Sequence, residues 1–251
     1  CNVGSAAAGP FGRFYPHHFT YAATLTPACV GGGFTYMNQP ALGITLALTA
    51  KSANETTTAR YTAGYPTLGT FSIDGDNGGT AVAPARVALP AFIWSNGVYT
   101  TVGAHTFTRN ATPDGPYNSF ALKATVTDPD GAAIAGAVLS NTTAIRSGRL
   151  RLVNTYGSEL LAIRVPLRAE SYTGTGWSLH AADSCTAIPT NAIAITNSGA
   201  LAPVIQSPSP ITLNGGLGTL VFNATAAAGP GHRHYFCCSQ ALNLQALELD
   251  A

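Results

Sequence analysis

The sequence predicts an all-β protein built from two immunoglobulin-like β-sandwich domains in tandem. Charged residues make up only 9% of the 251 residues, against roughly 25% in an average soluble domain. Short runs of apolar residues alternate with polar ones, a period that is typical of half-buried strands. Turn signals rich in Gly, Pro, Asp and Asn separate these runs about every ten residues, which is the spacing of a sandwich.

The strands of the first half are the clearest. Residues 44–48, 71–73 and 120–126 place apolar side chains at every second position, which puts them on one face of a strand. Residues 98–107 (VYTTVGAHTF) also read as a strand. The sequence DPDG at 128–131 is a strong turn signal that ends this half of the pattern.

The pattern restarts after Ile145. Residues 150–152 and 160–167 indicate two strands, the Gly174-Thr175-Gly176 stretch between Tyr172 and Trp177 is a hairpin signal, and residues 242–251 indicate a final strand. We therefore expect an extended N-terminal tail at 1–12, a first sandwich at 13–143, and a second sandwich with a C-terminal strand at 144–251.

Composition argues against two classes of partner. The net charge is +1 and the basic residues form no long run, so the sequence predicts no nucleic-acid binding. The longest apolar stretch, at residues 41–50, is too short to cross a bilayer, so no membrane span is expected. Because the chain starts at Cys1, we expect an exported protein whose signal sequence is cleaved, with acylation of Cys1 as the alternative.

Five cysteines and a single Met in a chain with few charges indicate an oxidising compartment. Two intrachain disulfides at most can form, so one cysteine is left free, acylated or bonded to another molecule. Adjacent cysteines do not easily bridge each other, which favours separate partners for the last two. The disulfide candidates, whose connectivity the sequence leaves open, are Cys1, Cys29, Cys185, Cys237 and Cys238.

A calcium loop is one candidate for metal binding. Asp74, Asp76 and Asn77 resemble the oxygen-rich front of such a loop, but Ala85 stands where an EF-hand needs a bidentate Glu. The alternative is a tight turn, in which Asp, Asn and Gly are favoured in any case. We therefore expect no cofactor, with Ca²⁺ as the alternative.

Histidines supply the other candidate metal ligands. In an extended segment His232 and His234 would face the same side, close to the cysteine pair that a zinc site would use; loop histidines without a metal are the alternative. Gly-x-Ser-x-Gly, His-Glu-x-x-His and P-loop motifs are absent from the sequence. We expect no catalytic residues and no enzymatic activity.

An arginine–carboxylate network is predicted in the second domain. Arg149 and Arg151 alternate with leucines, so their guanidinium groups share one face of a strand. Glu159 and Asp183 are the expected carboxylate partners, because Arg pairs with carboxylates in a bidentate way. The alternative is a site for an anionic ligand or a partner subunit.

One long stretch carries a family resemblance. Residues 147–186, SGRLRLVNTYGSELLAIRVPLRAESYTGTGWSLHAADSCT, resemble the C-terminal region of MshQ-like proteins from mannose-sensitive haemagglutinin pilus biogenesis clusters. GRFYPHHF at 12–19, TPAC at 26–29 and FTYMNQP at 34–40 match near the start. The resemblance implies a bacterial, exported protein linked to type IV-type pili, and it carries over no catalytic residues.

The resemblance also implies that Cys29 and Cys185 are oxidised, because each lies in a matched motif of an exported family. Our first hypothesis is a structural subunit of an extracellular filament or pilus-like surface assembly. Copies would join by strand addition or an intermolecular disulfide, with other pilus or surface subunits as further partners. The alternative is a pilus-associated adhesin that binds a glycan or host surface. Its candidate sugar-stacking aromatics are Trp94, Tyr99, Tyr117 and Trp177, and for each one alone the favoured alternative is that it fills a sandwich core.

Overall fold

The chain is all-β, and this prediction is confirmed by a computed structural model that describes residues 15–63, 68–82, 86–156, 161–193, 204–223 and 241–242. The strands form two units that follow each other along the chain, an arrangement consistent with tandem sandwiches. The immunoglobulin-like topology stays a prediction. Among the residues described, no helix is long and apolar enough to cross a membrane.

The first unit contains two sheets. One has the strand order β6-β3-β1-β8 and the other the order β2-β9-β7-β4-β5. Its strands are β1 (His18–Thr26), β2 (Phe34–Tyr36), β3 (Leu42–Lys51), β4 (Thr70–Asn77), β5 (Thr80–Val82), β6 (Val98–His105), β7 (Tyr117–Thr127), β8 (Ala133–Ala135) and β9 (Thr143–Arg146).

Alternation along the strands fills the core of the first unit. Ile44, Leu46 and Leu48 on β3 are buried, as are Phe120 and Leu122 on β7 in the other sheet. All five belong to one continuous core cluster. Burying each such side chain stabilises the fold by about 1.5–3 kcal/mol, so the two sheets are held together by their facing apolar sides.

Four aromatic side chains close one part of this core. Phe19, Tyr61, Phe71 and Trp94 are buried. The ring of Phe19 lies 4.9 Å from that of Phe71, and the ring of Tyr61 lies 4.9 Å from that of Trp94, in edge-to-face contact. Edge-to-face aromatic pairs contribute about 0.5–1.5 kcal/mol beyond their buried area.

Segments outside the strands contact both long sides of the β6-β3-β1-β8 sheet. Residues 88–94 run near β6, because isolated bridges join Val87 to Phe107 and Ser95 to Val98 at the two ends of this segment. On the opposite side, the Asn141 amide accepts from the Leu25 backbone N–H at 2.6 Å and donates to the Leu25 carbonyl at 2.9 Å. The amide therefore satisfies backbone groups of β1 that β8, which pairs only with the first three residues of β1, does not reach.

The second unit is smaller. Its main sheet has the order β14-β16-β11-β10-β17, with β12 also paired to β11, and β13 pairs with β15. A 3-10 helix lies at Thr190–Ala192. The strands are β10 (Gly148–Leu152), β11 (Ile163–Tyr172), β12 (Trp177–Leu179), β13 (Ala187–Ile188), β14 (Val204–Ile205), β15 (Ile211–Thr212), β16 (Leu217–Asn223) and β17 (Ala241–Leu242).

The boundary between the units lies at Ser147, slightly later than the predicted boundary between residues 143 and 144. β9 pairs with β2 and β7, so it belongs to the first unit, whereas β10 starts the second. A boundary after residue 143 would cut β9 out of its sheet. The predicted tail at 1–12 lies outside the described residues, as does the predicted final strand apart from Leu242.

Candidate functional site

A disulfide joins the two units. Cys29 follows β1 in the first unit, Cys185 precedes β13 in the second, and their Cα atoms are 5.6 Å apart. The bond closes a loop between residues 156 positions apart. On the chain-entropy account, a loop of this size stabilises the folded state by about 5 kcal/mol. Both cysteines singled out by their motifs are therefore bonded to each other across the junction.

Aromatic side chains pack beside this disulfide. Phe34 and Tyr36 on β2 are buried, and with Cys29 they form a small core cluster of their own. The Phe34 ring lies 4.3 Å from the His180 ring of the second unit. The cluster therefore excludes water from the junction.

A buried polar group crosses the same junction. The Tyr36 hydroxyl lies 2.8 Å from His180 Nδ1 and 3.0 Å from Asp183 Oδ2. An ionised carboxylate only accepts, so Tyr36 donates to Asp183. The His180 tautomer that satisfies the remaining contact carries its proton on Nδ1 and donates it to the Tyr36 oxygen. We call these three residues the junction triad.

Asp183 is the centre of the triad. Its side chain is fully buried. Besides Tyr36, it accepts from the Thr186 hydroxyl at 2.8 Å, the Thr186 backbone N–H at 2.9 Å and the Cys185 backbone N–H at 3.2 Å. A buried carboxylate is costly unless its oxygens are satisfied, and these donors satisfy it. The same bonds hold the loop that carries Cys185.

Burial and neighbouring charge shift the titration of the triad. Burial raises the pKa of Tyr36, and the Asp183 carboxylate raises it further, so the phenol stays protonated. Burial lowers the pKa of His180; the Arg146 guanidinium lowers it too, while Asp183 opposes both. Because a neutral His180 is favoured, the triad is a neutral phenol and imidazole beside one satisfied carboxylate.

Two glycines allow the backbones to approach closely here. A Cβ on Gly32 would lie 2.7 Å from the Ala182 carbonyl oxygen across the junction. Gly216 has a φ of +74°, and a Cβ there would lie 2.5 Å from the His180 carbonyl oxygen. Neither position accommodates a side chain without moving the backbone that carries the triad.

A second line of contact joins the units. Arg109 of the first unit donates to the Gly148 carbonyl at 3.2 Å, and its guanidinium lies 5.9 Å from the Trp177 ring. The Arg149 guanidinium lies 4.5 Å from the same ring. Trp177 is therefore flanked by two cations, which cation–π attraction favours.

The carboxylate that pairs with Arg149 and Arg151 is Glu170, which the sequence did not predict. Arg149 contacts Glu170 at 2.7 Å, and Arg151 contacts it at 3.5 Å. Asp183 has the triad and loop partners described above, not these arginines, and Glu159 lies outside the described residues. Glu170 stands opposite Arg149 in the ladder between β10 and β11. The strand register, which the sequence does not specify, selects the partner.

The expected calcium residues lie in the second half of a strand. Asp74, Asp76 and Asn77 belong to β4, and the hairpin turn follows at Gly78–Gly79. Asp76 caps that turn by accepting from the Gly79 N–H at 2.8 Å. Asn77 accepts from the Ser119 N–H at 3.0 Å, and Asp74 accepts from the Ser72 hydroxyl at 3.0 Å. These contacts favour the turn interpretation.

No group of three or more His, Cys, Asp or Glu side chains able to hold a metal occurs in the described part of the chain. His232, His234, Cys1, Cys237 and Cys238 lie outside that part. The zinc hypothesis and the partners of these three cysteines therefore stay untested predictions.

The aromatic residues that were candidates for sugar stacking are engaged elsewhere. Trp94 and Tyr99 are buried in the first core. The Tyr117 hydroxyl donates to Asp114 at 2.9 Å, and Trp177 is flanked by the two arginines at the junction. Their positions match the core-filling and structural alternative.

Taken with the fold, the junction is a site that holds two units in one orientation. Tyr36, His180 and Asp183 are 9% exposed or less, so a solute cannot reach them in the folded chain. The disulfide, the triad and the Arg109–Trp177 contact lie at the same boundary between β9 and β10. The arrangement is suited to mechanical linkage.

Comparison with known proteins places this boundary independently. No curated protein and no solved structure matches the chain. The third domain of DUF6701 matches residues 2–151 and the fourth domain of DUF6701 matches residues 146–242. The two matches meet at 146–151, around Ser147, where the strands change sheets. The chain belongs to the DUF6701 family and comprises its third and fourth domains.

Proposed function

We propose that this chain is a structural subunit of a bacterial extracellular filament or pilus-like surface assembly. The single observation that carries the proposal is the oxidised, buried junction between the two units. A disulfide across a domain boundary persists in an oxidising compartment, which supports an exported location. Together with the triad it makes the two units one stiff module, a property that a load-bearing assembly needs and a catalyst does not.

The sequence resemblance to MshQ-like proteins supports the pilus-like part of the proposal. The non-catalytic part is supported by the use of the junction triad, in which the Tyr36 hydroxyl and the Asp183 carboxylate are both engaged in structural contacts. A chain of linked, stiff β-modules resists extension because unfolding one module requires both its core and its cross-links to yield.

Two routes to linkage between copies remain open in this proposal. The sequence has five cysteines, and the disulfide between Cys29 and Cys185 uses two. Three are left, so at least one cannot pair within this sequence. The other route is strand addition at β10, whose outer edge is met only by the two residues of β17 among those described.

Non-reducing electrophoresis with negative-stain imaging tests the proposal. We expect disulfide-dependent ladders or extended fibres from purified protein. The double variant Cys237→Ser/Cys238→Ser should lose ladders that run through these sulfurs. The variant Cys29→Ser/Cys185→Ser should keep the ladders, but its two units should be held less rigidly relative to each other. Monodisperse monomers under all conditions would contradict an assembly role.

The alternative is a surface adhesin. Monomers that bind a defined sugar on a glycan array would favour it. The burial of Trp94 and Tyr99 leaves that alternative without the stacking residues first considered for it.

A further inference from the structure

Four arginines of the second unit share one solvent-facing surface. In the ladder between β10 and β11, Arg149 stands opposite Glu170 and Arg151 stands opposite Arg168. Arg164 lies on the same face of β11, four residues before Arg168, because side chains alternate along a strand. The residues between them, Val165 and Leu167, point into the core and are buried. We call Arg149, Arg151, Arg164 and Arg168 the arginine face.

The arginine face carries more positive charge than its own contacts neutralise. Within the described part of the second unit the carboxylates are Glu170 and Asp183, and Asp183 is buried in the junction triad. Glu170 is bound by Arg149 and Arg151. Arg164 and Arg168 are exposed and pair with no carboxylate among the described residues.

This arrangement costs stability. Arg151 and Arg168 are like charges directly opposite each other on neighbouring strands, and such pairs are destabilising. The described carboxylates therefore leave the arginine face with more positive charge than they neutralise. A bound anion would relieve the repulsion.

The spacing of the charges fits an extended ligand. Strands rise about 3.3 Å per residue, so the Cα atoms of Arg164 and Arg168 lie roughly 13 Å apart along β11. Toward the junction, Arg149 of the arginine face lies against the Trp177 ring, which Arg109 of the first unit also contacts. The register orders the cations along the strands, with Arg164 first, then the Arg151–Arg168 pair, then Arg149 opposite Glu170.

We propose that the arginine face binds an acidic polysaccharide through its carboxylate groups. All four cations are Arg, whose planar fork matches carboxylates in a bidentate way, whereas Lys acts as a point charge. The oxidised junction places the surface where such polymers occur, outside the reducing cytoplasm. Nucleic acid is disfavoured, because single-strand binders stack bases on aromatic rings and Trp177 is already flanked by two guanidinium groups. This inference goes beyond the structural role and does not depend on it.

Binding of polygalacturonate to the purified chain, measured by calorimetry at low and at physiological salt, tests the proposal. We expect binding that weakens with salt. The double variant Arg164→Gln/Arg168→Gln should bind at least about tenfold more weakly, because it loses two charge-assisted contacts to the carboxylates of the ligand. Its melting temperature should not fall, since neither arginine has a carboxylate partner among the described residues.

Matched controls separate specific binding from bulk charge. Arg60→Gln removes an exposed arginine of the first unit and should leave the affinity unchanged. Arg164→Lys/Arg168→Lys keeps the charge and should still weaken binding, because the bidentate fork is lost.

Several results would overturn the proposal. One is no binding of polygalacturonate by the wild-type chain. Another is an equal loss of affinity in the Arg60→Gln variant. Tighter binding of double-stranded DNA or of phosphatidylglycerol vesicles than of polygalacturonate would assign the arginine face to a different partner.

Discussion

In the first unit Arg86 lies inside the sandwich, whereas in the second unit four arginines lie on the outer face of a sheet. The Arg86 guanidinium is paired with Asp114, donates to the Tyr117 hydroxyl and lies 4.4 Å from the Phe107 ring. The buried arginine is fully paired, whereas Arg164 and Arg168 are exposed and have no carboxylate partner among the residues that the structure describes. One unit uses arginine to hold itself together, and the other presents it to solvent.

The hydrophobic cores of the two units also differ in size and composition. The described part of the first unit has a buried cluster of twenty residues, rich in aromatic rings, whereas the cluster of the second has ten and is mostly aliphatic. Small cores bury too little apolar surface to be stable alone, and cross-links compensate for this. We infer that the second unit depends on the junction more than the first does.

Removing the disulfide should cause the largest loss of stability, and the second unit should lose more than the first. We expect Cys29→Ser/Cys185→Ser to lose up to about 5 kcal/mol of stability, most of it from the second unit. Calorimetry should then show two melting transitions, the lower one from the second unit. Limited proteolysis should cut that unit first. A single transition unchanged from wild type would contradict the inferred dependence.

Neutralising the centre of the triad should have the next effect. Asp183→Asn replaces a carboxylate that accepts four hydrogen bonds, so we expect a loss of about 1–3 kcal/mol. Denaturant unfolding would measure it. Asp74→Asn, which changes a carboxylate bound by one hydroxyl in the first unit, is the matched control and should cost less than about 0.5 kcal/mol. Equal losses of stability in the two variants would contradict a special role for the junction.

The stability of the second unit should also depend on pH. Burial depresses the pKa of His180 below its ordinary value of 6.5, so the unfolded chain binds the proton more readily than the folded one. The contribution is complete above pH 6.5 and is lost as the pH falls through the lower folded pKa. Melting temperatures should therefore fall as the pH is lowered from about 8 to about 5.

His180→Gln should flatten this pH profile, whereas His17→Gln in the first unit should leave it unchanged. If both variants keep the wild-type slope, another group is responsible.

The smallest effect is expected on the arginine face. Arg151 is half exposed and its contact with Glu170 is 3.5 Å long, so Arg151→Gln should change stability by less than about 1 kcal/mol. Arg149→Gln should cost more, because Glu170 is buried and loses its 2.7 Å partner. A double-mutant cycle with Glu170→Gln would measure both couplings. A larger loss of stability in Arg151→Gln than in Arg149→Gln would show that the Arg149–Glu170 pair is not the stronger of the two.

Local patterns were enough to predict the strands, because burial on one face leaves a period of two in residues such as Ile44, Leu46 and Leu48. Cys29 and Cys185 could be singled out by their motifs. Their pairing could not, since 156 residues separate them.

Long-range register explains what was missed. Glu170 and Arg168 meet β10 only through the antiparallel ladder, so the sequence placed Arg149 and Arg151 on one face but showed neither Glu170 as their partner nor Arg164 and Arg168 beside them. The boundary was placed too early because β9, with four residues, pairs with the distant β2. Trp94 was a candidate for sugar stacking with core filling as its alternative, and its burial matches the core-filling interpretation.

The Asn141 amide that occupies the edge of β1 has a practical consequence for producing this protein. Asn141-Thr142-Thr143 is an acceptor sequence for N-linked sugars, yet the Asn141 nitrogen already donates to the Leu25 carbonyl. A sugar attached to that nitrogen during secretion by a eukaryotic host would compete with closure of the first sandwich. The protein should therefore be produced in a host without this modification, which leaves the Asn141 amide free to bond Leu25.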